Sequence, residues 1–329
     1  RTFSLAYRRL FNDLLIGNFL IANSKFETFF GLGGESGIRD NNLIDDQTFA
    51  ANFSYFQSQD LTWKFGVQGK ILGFDYTSSF SDTVLFRIDR SPYELAAYLK
   101  TKVPLGDSFI IEPGIRFNTY SDQKNNFFPE LRLGLKYLIN DDRYINFAVG
   151  NYHQFIQTAQ DDFNPSIIDF WIAIDKSVDA GASQQIVLGY EEYIDSRYKI
   201  QIEGYYKNIQ NTLTFVDSRS STDEILENSS VGDNFLMSDG YAYGLELFTQ
   251  KLTGKFTGWI SYTYSISRKS IEESYFFNNW DRRHAFSLIG NYSLSKKWEM
   301  NWNWAYQSGQ AYTPVSYTHL RAHETSLHL

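Results

Sequence analysis

Residues 255–267 read KFTGWISYTYSIS, and apolar and polar side chains alternate along this stretch. One face would carry the apolar set, which is Phe256, Gly258, Ile260, Tyr262, Tyr264 and Ile266. The other would carry Lys255, Thr257, Ser261, Thr263 and Ser265, with Trp259 as the exception. Successive side chains of a strand point to opposite faces, so this period of two predicts a β-strand with one apolar and one polar face.

The same alternation recurs through most of the chain, for example in residues 61–74 and 197–207. Turn residues between such segments divide the sequence into fourteen predicted strands. These are residues 2–10, 13–26, 46–58, 61–74, 91–103, 108–120, 127–138, 143–155, 181–193, 197–210, 239–251, 255–268, 281–294 and 297–310. The aromatic content of 18% and the presence of only six prolines also favour strands.

The connections between these strands fall into two alternating classes. Short turns are predicted at 58–60, 104–107, 140–142, 195–196, 252–254 and 295–296. Long polar segments are predicted at 27–45, 75–90, 156–180, 211–238 and 269–280, with a shorter connection at 121–126. Outer-membrane barrels have tight periplasmic turns and long extracellular loops, and a tilted strand of about nine to eleven residues crosses a bilayer. The pattern therefore predicts an all-β fold, an antiparallel transmembrane β-barrel.

Composition excludes several other classes of protein. The longest apolar run, residues 14–22, is too short for a transmembrane helix, and the absence of cysteine removes disulfides, thiol catalysis and cysteine metal sites. A net charge of -8 without a basic block argues against nucleic-acid binding.

No catalytic constellation accompanies His153 or His284, so we expect no enzyme activity and no cofactor. A soluble sandwich or lipocalin-like barrel would also alternate, with its apolar face turned inward.

Two pairs of segments resemble the barrel domain of TonB-dependent receptors, particularly the type common in Bacteroidetes. The first pair is SDGYAYGLEL at 238–247 with KLTGKFTGWISYTYS at 251–265, which in that family forms a strand, a tight glycine turn and the next strand. The second is NWDRRH at 279–284 with YQSGQAYTP at 306–314. A weaker match is FPELRLGLKY at 128–137, so the resemblance covers about residues 90–314.

The resemblance implies a 22-stranded barrel and an N-terminal plug that contacts TonB. Residues 1–314 would then be a partial barrel of about fourteen strands, with the plug outside this chain. The implied function is active uptake of a large nutrient, such as a siderophore, cobalamin, glycan or peptide, across the cell outer membrane of a Gram-negative bacterium. The implied partners are outer-membrane lipid, the extracellular nutrient and, through the plug, the TonB complex, with the barrel itself monomeric. A passive outer-membrane channel and a soluble β-rich binding module are the alternatives.

After residue 314 the alternation stops. His319 and His323 stand four residues apart beside Glu324, a spacing that on a helix would suit zinc. Residues 315–329, however, resemble translated sequencing-adaptor read-through. We therefore interpret them as a non-native tail and expect no metal site.

The predicted long loops contain acids and aromatic residues. Carboxylates of this kind, including Asp175 and Asp179, are usually solvated at a surface. The functional hypothesis is capture of the nutrient at the extracellular mouth, by aromatic stacking or through carboxylate-bound calcium. The candidate ligand-binding residues are Asp161, Asp162, Phe163, Trp171, Tyr275, Phe276 and Phe277.

Overall fold

A computed structural model of the chain describes residues 1–34, 37–81, 83–159, 170–215, 226–227, 230–271, 274–278 and 280–311. Its strands, in chain order, are β1 (Thr2–Asn12), β2 (Leu15–Leu32), β3 (Ile38–Phe56), β4 (Thr62–Phe80), β5 (Thr83–Arg90), β6 (Tyr93–Leu105), β7 (Phe109–Tyr120), β8 (Phe127–Asn140), β9 (Arg143–Gln154), β10 (Ile156–Ala159), β11 (Phe170–Ala173), β12 (Gly181–Ile194), β13 (Tyr198–Phe215), β14 (Leu226–Glu227), β15 (Phe235–Lys251), β16 (Phe256–Ile271), β17 (Ser274–Phe277), β18 (His284–Ser295) and β19 (Trp298–Gln307). One short helix, α1 (Val231–Asn234), precedes β15.

Fourteen long strands form one continuous antiparallel sheet, which we call the wall. They are paired in the order β1, β2, β3, β4, β6, β7, β8, β9, β12, β13, β15, β16, β18 and β19. Each corresponds to one of the fourteen predicted strands, so the all-β antiparallel prediction is confirmed. Within the described residues β1 pairs only with β2 and β19 only with β18, so these two strands are the edges of the wall.

The predicted loop boundaries are wrong at the long-loop end. β2 and β3 pair out to Leu32 and Ile38, and β4 pairs with β5 as far as Phe80 and Thr83. The predicted loops 27–45 and 75–90 are therefore mostly strand. Residues of these extensions do not alternate between apolar and polar, and apolar ones such as Phe29 and Leu32 are exposed there. Backbone pairing does not depend on such alternation, so its loss does not mark the end of the sheet.

The two faces of the wall differ in the way that the alternation predicted. On the apolar face, large side chains form cross-strand rows such as Ile260, Leu288 and Trp304, in which Ile260 and Trp304 are exposed and Leu288 is half-buried between them. Alternate residues on the other face are mostly polar or small, with exceptions such as Phe248 and Trp259, and we call this the polar face. A sheet that leaves its aromatic and aliphatic side chains uncovered has the surface of a lipid-facing wall. Among the described residues, no helix is long and apolar enough to cross a membrane.

Glycine pairs on the apolar face make room for an aromatic side chain. Gly258, Gly290 and Trp302 are cross-strand neighbours on β16, β18 and β19. A Cβ on Gly290 would lie 2.2 Å from the Trp302 ring, so the indole occupies the space that the glycine leaves. The same indole stacks on Phe256 with ring centroids 5.6 Å apart. Aromatic cover of strand glycines of this kind fixes cross-strand register.

We expect Gly258→Ala to destabilise the wall. Gly258 has a φ of +152°, and a Cβ there would lie 2.2 Å from the Ile289 carbonyl oxygen. The strain should lower the free energy of unfolding by about 2 kcal/mol, measured as the shift in urea midpoint of the chain in detergent micelles. Gly204→Ala is the matched control, because its Cβ would have only the Gly244 oxygen nearby, at 3.9 Å. Equal losses in the two variants would contradict this account.

Candidate functional site

The segments at the long-loop end pack against one another and form a compact body that we call the loop core. It lies on the polar-face side of the wall, because Leu72, Phe74 and Tyr76 of β4 are buried in it while Val67 and Ile71 are exposed on the apolar face. Its buried apolar members are Leu72, Phe74, Tyr76, Ile88, Tyr120, Phe128, Phe155, Ile172, Ala173, Ile174, Val178, Ala180, Leu213, Val231 and Phe235. The main apolar core of the described residues is thus formed by loop segments and strand ends.

Asp175 joins three segments of the loop core. Its side chain is 4% exposed, and its Oδ2 accepts hydrogen bonds from Arg90 Nη2 and from the Val231 backbone N–H, both at 3.0 Å. Its Oδ1 accepts from the backbone N–H and the hydroxyl of Ser177. Because a buried carboxylate is costly to leave unpaired, these donors favour a single arrangement of the end of β5, the segment 174–180 and α1.

Five backbone carbonyls of residues 171–180 accept hydrogen bonds from side chains elsewhere in the chain. The Tyr120 hydroxyl donates to Ile174 O at 3.1 Å, and Gln123 Nε2 donates to Asp175 O at 2.7 Å and to Val178 O at 2.9 Å. Further amide donors are Asn42, to Trp171 O at 2.9 Å, and Asn211, to Ala180 O at 3.1 Å. Irregular backbone can be buried only when its polar groups find such partners. The segment is therefore held in place along its length.

A second buried acid, Asp40, lies on the extension of β3 beyond the apolar band. The Tyr76 hydroxyl donates to Asp40 Oδ1 at 3.3 Å. Burial raises the pKa of Asp40, partly offset by the hydrogen bonds from Ser78 and Tyr76, and burial together with the Asp40 charge raises the pKa of Tyr76. Tyr76 therefore stays a protonated donor to the Asp40 carboxylate.

Closer to the middle of the wall, the polar face carries a hydrogen-bonded network around Arg116. Its Nη2 donates to Gln68 Oε1 at 2.9 Å and lies 3.8 Å from Glu94 Oε1, and its Nε donates to Asn118 Oδ1 at 2.6 Å. These residues come from β4, β6 and β7. Sequence analysis did not single them out, although the strand register that would bring them together follows from the predicted turns. The polar face thus carries a charged and hydrogen-bonded cluster shared by three neighbouring strands.

The structure describes some of the predicted ligand-binding residues and places them on separate elements. Asp161, Asp162 and Phe163 lie outside the described residues. Trp171 lies in β11, where its side chain is 39% exposed beside the fully buried Ile172. It therefore presents an indole at the surface of a fixed segment.

The other predicted aromatic residues lie on a separate hairpin, in which β17 pairs with β16. Tyr275 is 62% exposed and contacts Tyr241, with ring centroids 6.1 Å apart, while Phe276 is partly buried. Phe277 lies under Arg268, whose guanidinium carbon is 3.5 Å from the ring centroid. Trp171 and Tyr275 thus remain candidates on two different elements, and Phe277 has a structural partner.

The prediction that loop carboxylates are solvated has two outcomes. Asp179 is exposed, as predicted. The prediction is wrong for Asp175, which is buried and pairs with Arg90 from a distant part of the chain. In the described part of the chain no group of three or more histidines or acids is arranged to hold a metal ion. The tail histidines lie outside that part.

The two strand histidines sit in separate networks. His284 Nδ1 lies 2.8 Å from the Tyr262 hydroxyl at the start of β18. The His153 backbone N–H donates to Glu130 Oε1 at 2.8 Å, and Glu130 also pairs with Arg132 at 2.6 Å. The His153 ring packs against Phe128, with ring centroids 5.2 Å apart, and its buried Nδ1 lies 3.7 Å from Glu130 Oε1. Both histidines thus contact neighbouring wall strands, as expected for structural residues.

Comparison with known proteins links this architecture to one family. The family profile described as "TonB dependent receptor-like, beta-barrel" matches residues 1–325. No curated protein sequence matches the chain.

Solved structures of similar fold include three with high coverage of this chain. The FpvAI–pyocin S2 complex has a TM-score of 0.67 at 12% identity, over 89% of this chain and 44% of the other. The ferric citrate transporter FecA, in its unliganded form, has a TM-score of 0.63 at 14% identity, over 94% of this chain and 49% of the other. The alcaligin outer-membrane receptor FauA from Bordetella pertussis has a TM-score of 0.60 at 15% identity, over 94% of this chain and 53% of the other. The likeness is one of fold, and this chain spans about half the length of those proteins.

We expect Asp175→Ala to open the loop core and leave the wall intact. Loss of the carboxylate leaves Arg90 and the Val231 N–H without their acceptor, which should cost about 3 kcal/mol locally. Amide hydrogen exchange in residues 174–180 and 230–234 should then become on the order of a hundredfold faster, with the wall strands unchanged. Asp179→Ala is the control, an exposed acid of the same segment. Unchanged exchange in Asp175→Ala would show that the ion pair does not hold the loops.

Proposed function

Because the chain belongs to the TonB dependent receptor-like β-barrel family, we propose that it forms the wall of an outer-membrane receptor that takes up a large nutrient actively. Barrels of this family are outer-membrane proteins of Gram-negative bacteria, and we place this chain in the same membrane. The strand wall would span the bilayer with its apolar face in lipid. Its polar face would line the passage.

The observation that carries the proposal is the folded loop core on the polar-face side of one end of the wall. A passage that admits solutes by diffusion needs no such body over its mouth, whereas a receptor needs a preorganised surface that binds its ligand before import. Asp175, Arg90 and the carbonyl contacts of residues 171–180 supply that preorganisation. We place ligand capture on the outward surface of the loop core, where Trp171 is exposed, and on the β16–β17 hairpin, where Tyr275 is exposed.

The ligand in this proposal is a nutrient too large for porins, in the class of siderophores, cobalamin, glycans and peptides. FecA is a ferric citrate transporter and FauA an alcaligin receptor, so iron chelates come first among the compounds to be tested. Exposed aromatic side chains suit all of these ligands, because they stack on sugar rings and on planar chelating groups at small cost in conformational entropy.

Import in this family draws on energy that TonB delivers to the plug. We propose that the wall described above provides the ligand-binding loops and the passage, and that a plug domain makes the contact with TonB. Chemistry at the wall is limited to binding and release, since Arg116 and its neighbours offer hydrogen bonds and charge. The barrel is proposed to act as a monomer, without enzyme activity and without a cofactor.

The proposal is tested by nutrient uptake in cells that carry the intact gene, with and without a functional TonB complex. We expect one nutrient of a panel of ferric chelates, cobalamin, glycans and peptides to depend on both the gene and TonB. Trp171→Ala and Tyr275→Ala should each weaken binding of that nutrient by about tenfold, as expected for loss of an exposed aromatic contact.

Trp304→Ala provides the matched control, because Trp304 is similarly exposed but lies on the apolar face of the wall. It should leave binding unchanged. Uptake that persists without TonB would identify a passive channel. Equal effects of the loop and wall variants would contradict the assignment of ligand capture to the loops.

A further inference from the structure

The tight-turn end of the wall carries a cleft of about 710 Å³ between the turn before β16 and the turn that joins β18 to β19. Lys255, Lys296 and Lys297 line this cleft, and Glu299 is the one acid in its lining. All three lysines are exposed, and within the described ranges none of them forms an ion pair. Three cations face one anion here, in a chain whose net charge is -8.

The cleft is continuous with the apolar face of the wall. Leu294 and Trp298 also line it and are 59% and 72% exposed. They belong to the same cross-strand face as Tyr292 and Met300, which pair across β18 and β19. Tryptophan and tyrosine concentrate where a membrane protein crosses from hydrocarbon to the headgroup layer. The lysines therefore lie at the level where lipid headgroups meet the apolar band.

We infer that this cleft binds the headgroup of an anionic phospholipid, with the acyl chains lying along Leu294 and Trp298. Lysine ammonium groups are strong donors to phosphate oxygens, and basic pockets at a membrane surface attract anionic headgroups. In a barrel the tight turns face the periplasm, so the lipid comes from the periplasmic leaflet.

The lysines and the apolar side chains of the cleft together favour an anionic phospholipid over other ligands. A free phosphate ion would use the lysines but leave Leu294 and Trp298 in water. A zwitterionic lipid would cover the apolar residues but bring a cation towards three lysines. An anionic phospholipid satisfies the charge and the apolar surface together. The inference depends on the membrane placement of the wall and is independent of ligand uptake and of TonB.

The test is native mass spectrometry of the full chain, refolded in nonionic detergent micelles and given equal amounts of phosphatidylglycerol and phosphatidylcholine with the same acyl chains. We expect phosphatidylglycerol to be retained on the order of tenfold more than phosphatidylcholine, and the excess to shrink at high salt. The triple variant K255Q/K296Q/K297Q should lose this preference, and K255R/K296R/K297R should keep it.

The matched control is K25Q/K124Q/K176Q, which removes three exposed lysines away from the tight-turn end and changes the net charge by the same amount. It should keep the preference for phosphatidylglycerol. Heat-dependent gel mobility checks that every variant is folded. Equal retention of the two lipids by the unaltered chain, loss of preference in the arginine variant, or equal loss in the two glutamine variants would overturn the inference. A failed uptake experiment would not affect it, because neither nutrient nor TonB is present.

Discussion

Backbone hydrogen bonding is the constraint on which the rest of this molecule depends. In hydrocarbon no water is available to the peptide N–H and C=O groups, so a spanning chain must pair them within the protein. The wall does so through thirteen successive antiparallel pairings from β1 to β19. Once the backbone is committed to strands, side chains must alternate between lipid and the polar face. That requirement produces the sequence pattern at 255–267 and its repeats.

A second level of structure begins where the apolar band ends. There the strands continue beyond the alternating stretch, and the loops fold on one another around buried groups such as Tyr120, Ile172 and Asp175. The wall is stabilised by its backbone ladder and, in the proposed membrane placement, by lipid. The loop core has an apolar interior and buried polar contacts like those of a globular domain. In the proposed function this division would let the wall stay rigid while the loop surface binds the ligand. Within the loop core, the exposed Trp171 lies beside the fully buried Ile172 and is held in place by it.

Sequence reasoning succeeded where one local rule decides the outcome. Alternation and turn residues predicted each wall strand, and the family motifs at 238–265 and 279–314 pointed to the same barrel. Sequence reasoning failed where segments that are distant in the chain come into contact. Arg90 and Val231 lie 85 and 56 residues from Asp175, and no local pattern marks these three residues as partners. The strand extensions were missed for a related reason, since hydrophobic periodicity reports the lipid boundary and not the end of backbone pairing.

The central claim is that this chain is a membrane wall whose apolar face requires lipid. Refolding of the denatured chain, followed by far-ultraviolet circular dichroism and heat-dependent gel mobility, tests that claim most directly. The account predicts β-structure and a heat-dependent mobility shift in detergent micelles or phospholipid vesicles, and aggregation in plain buffer, because the exposed side chains of the apolar face would meet water. A folded, monomeric β-protein in plain buffer without detergent would contradict it.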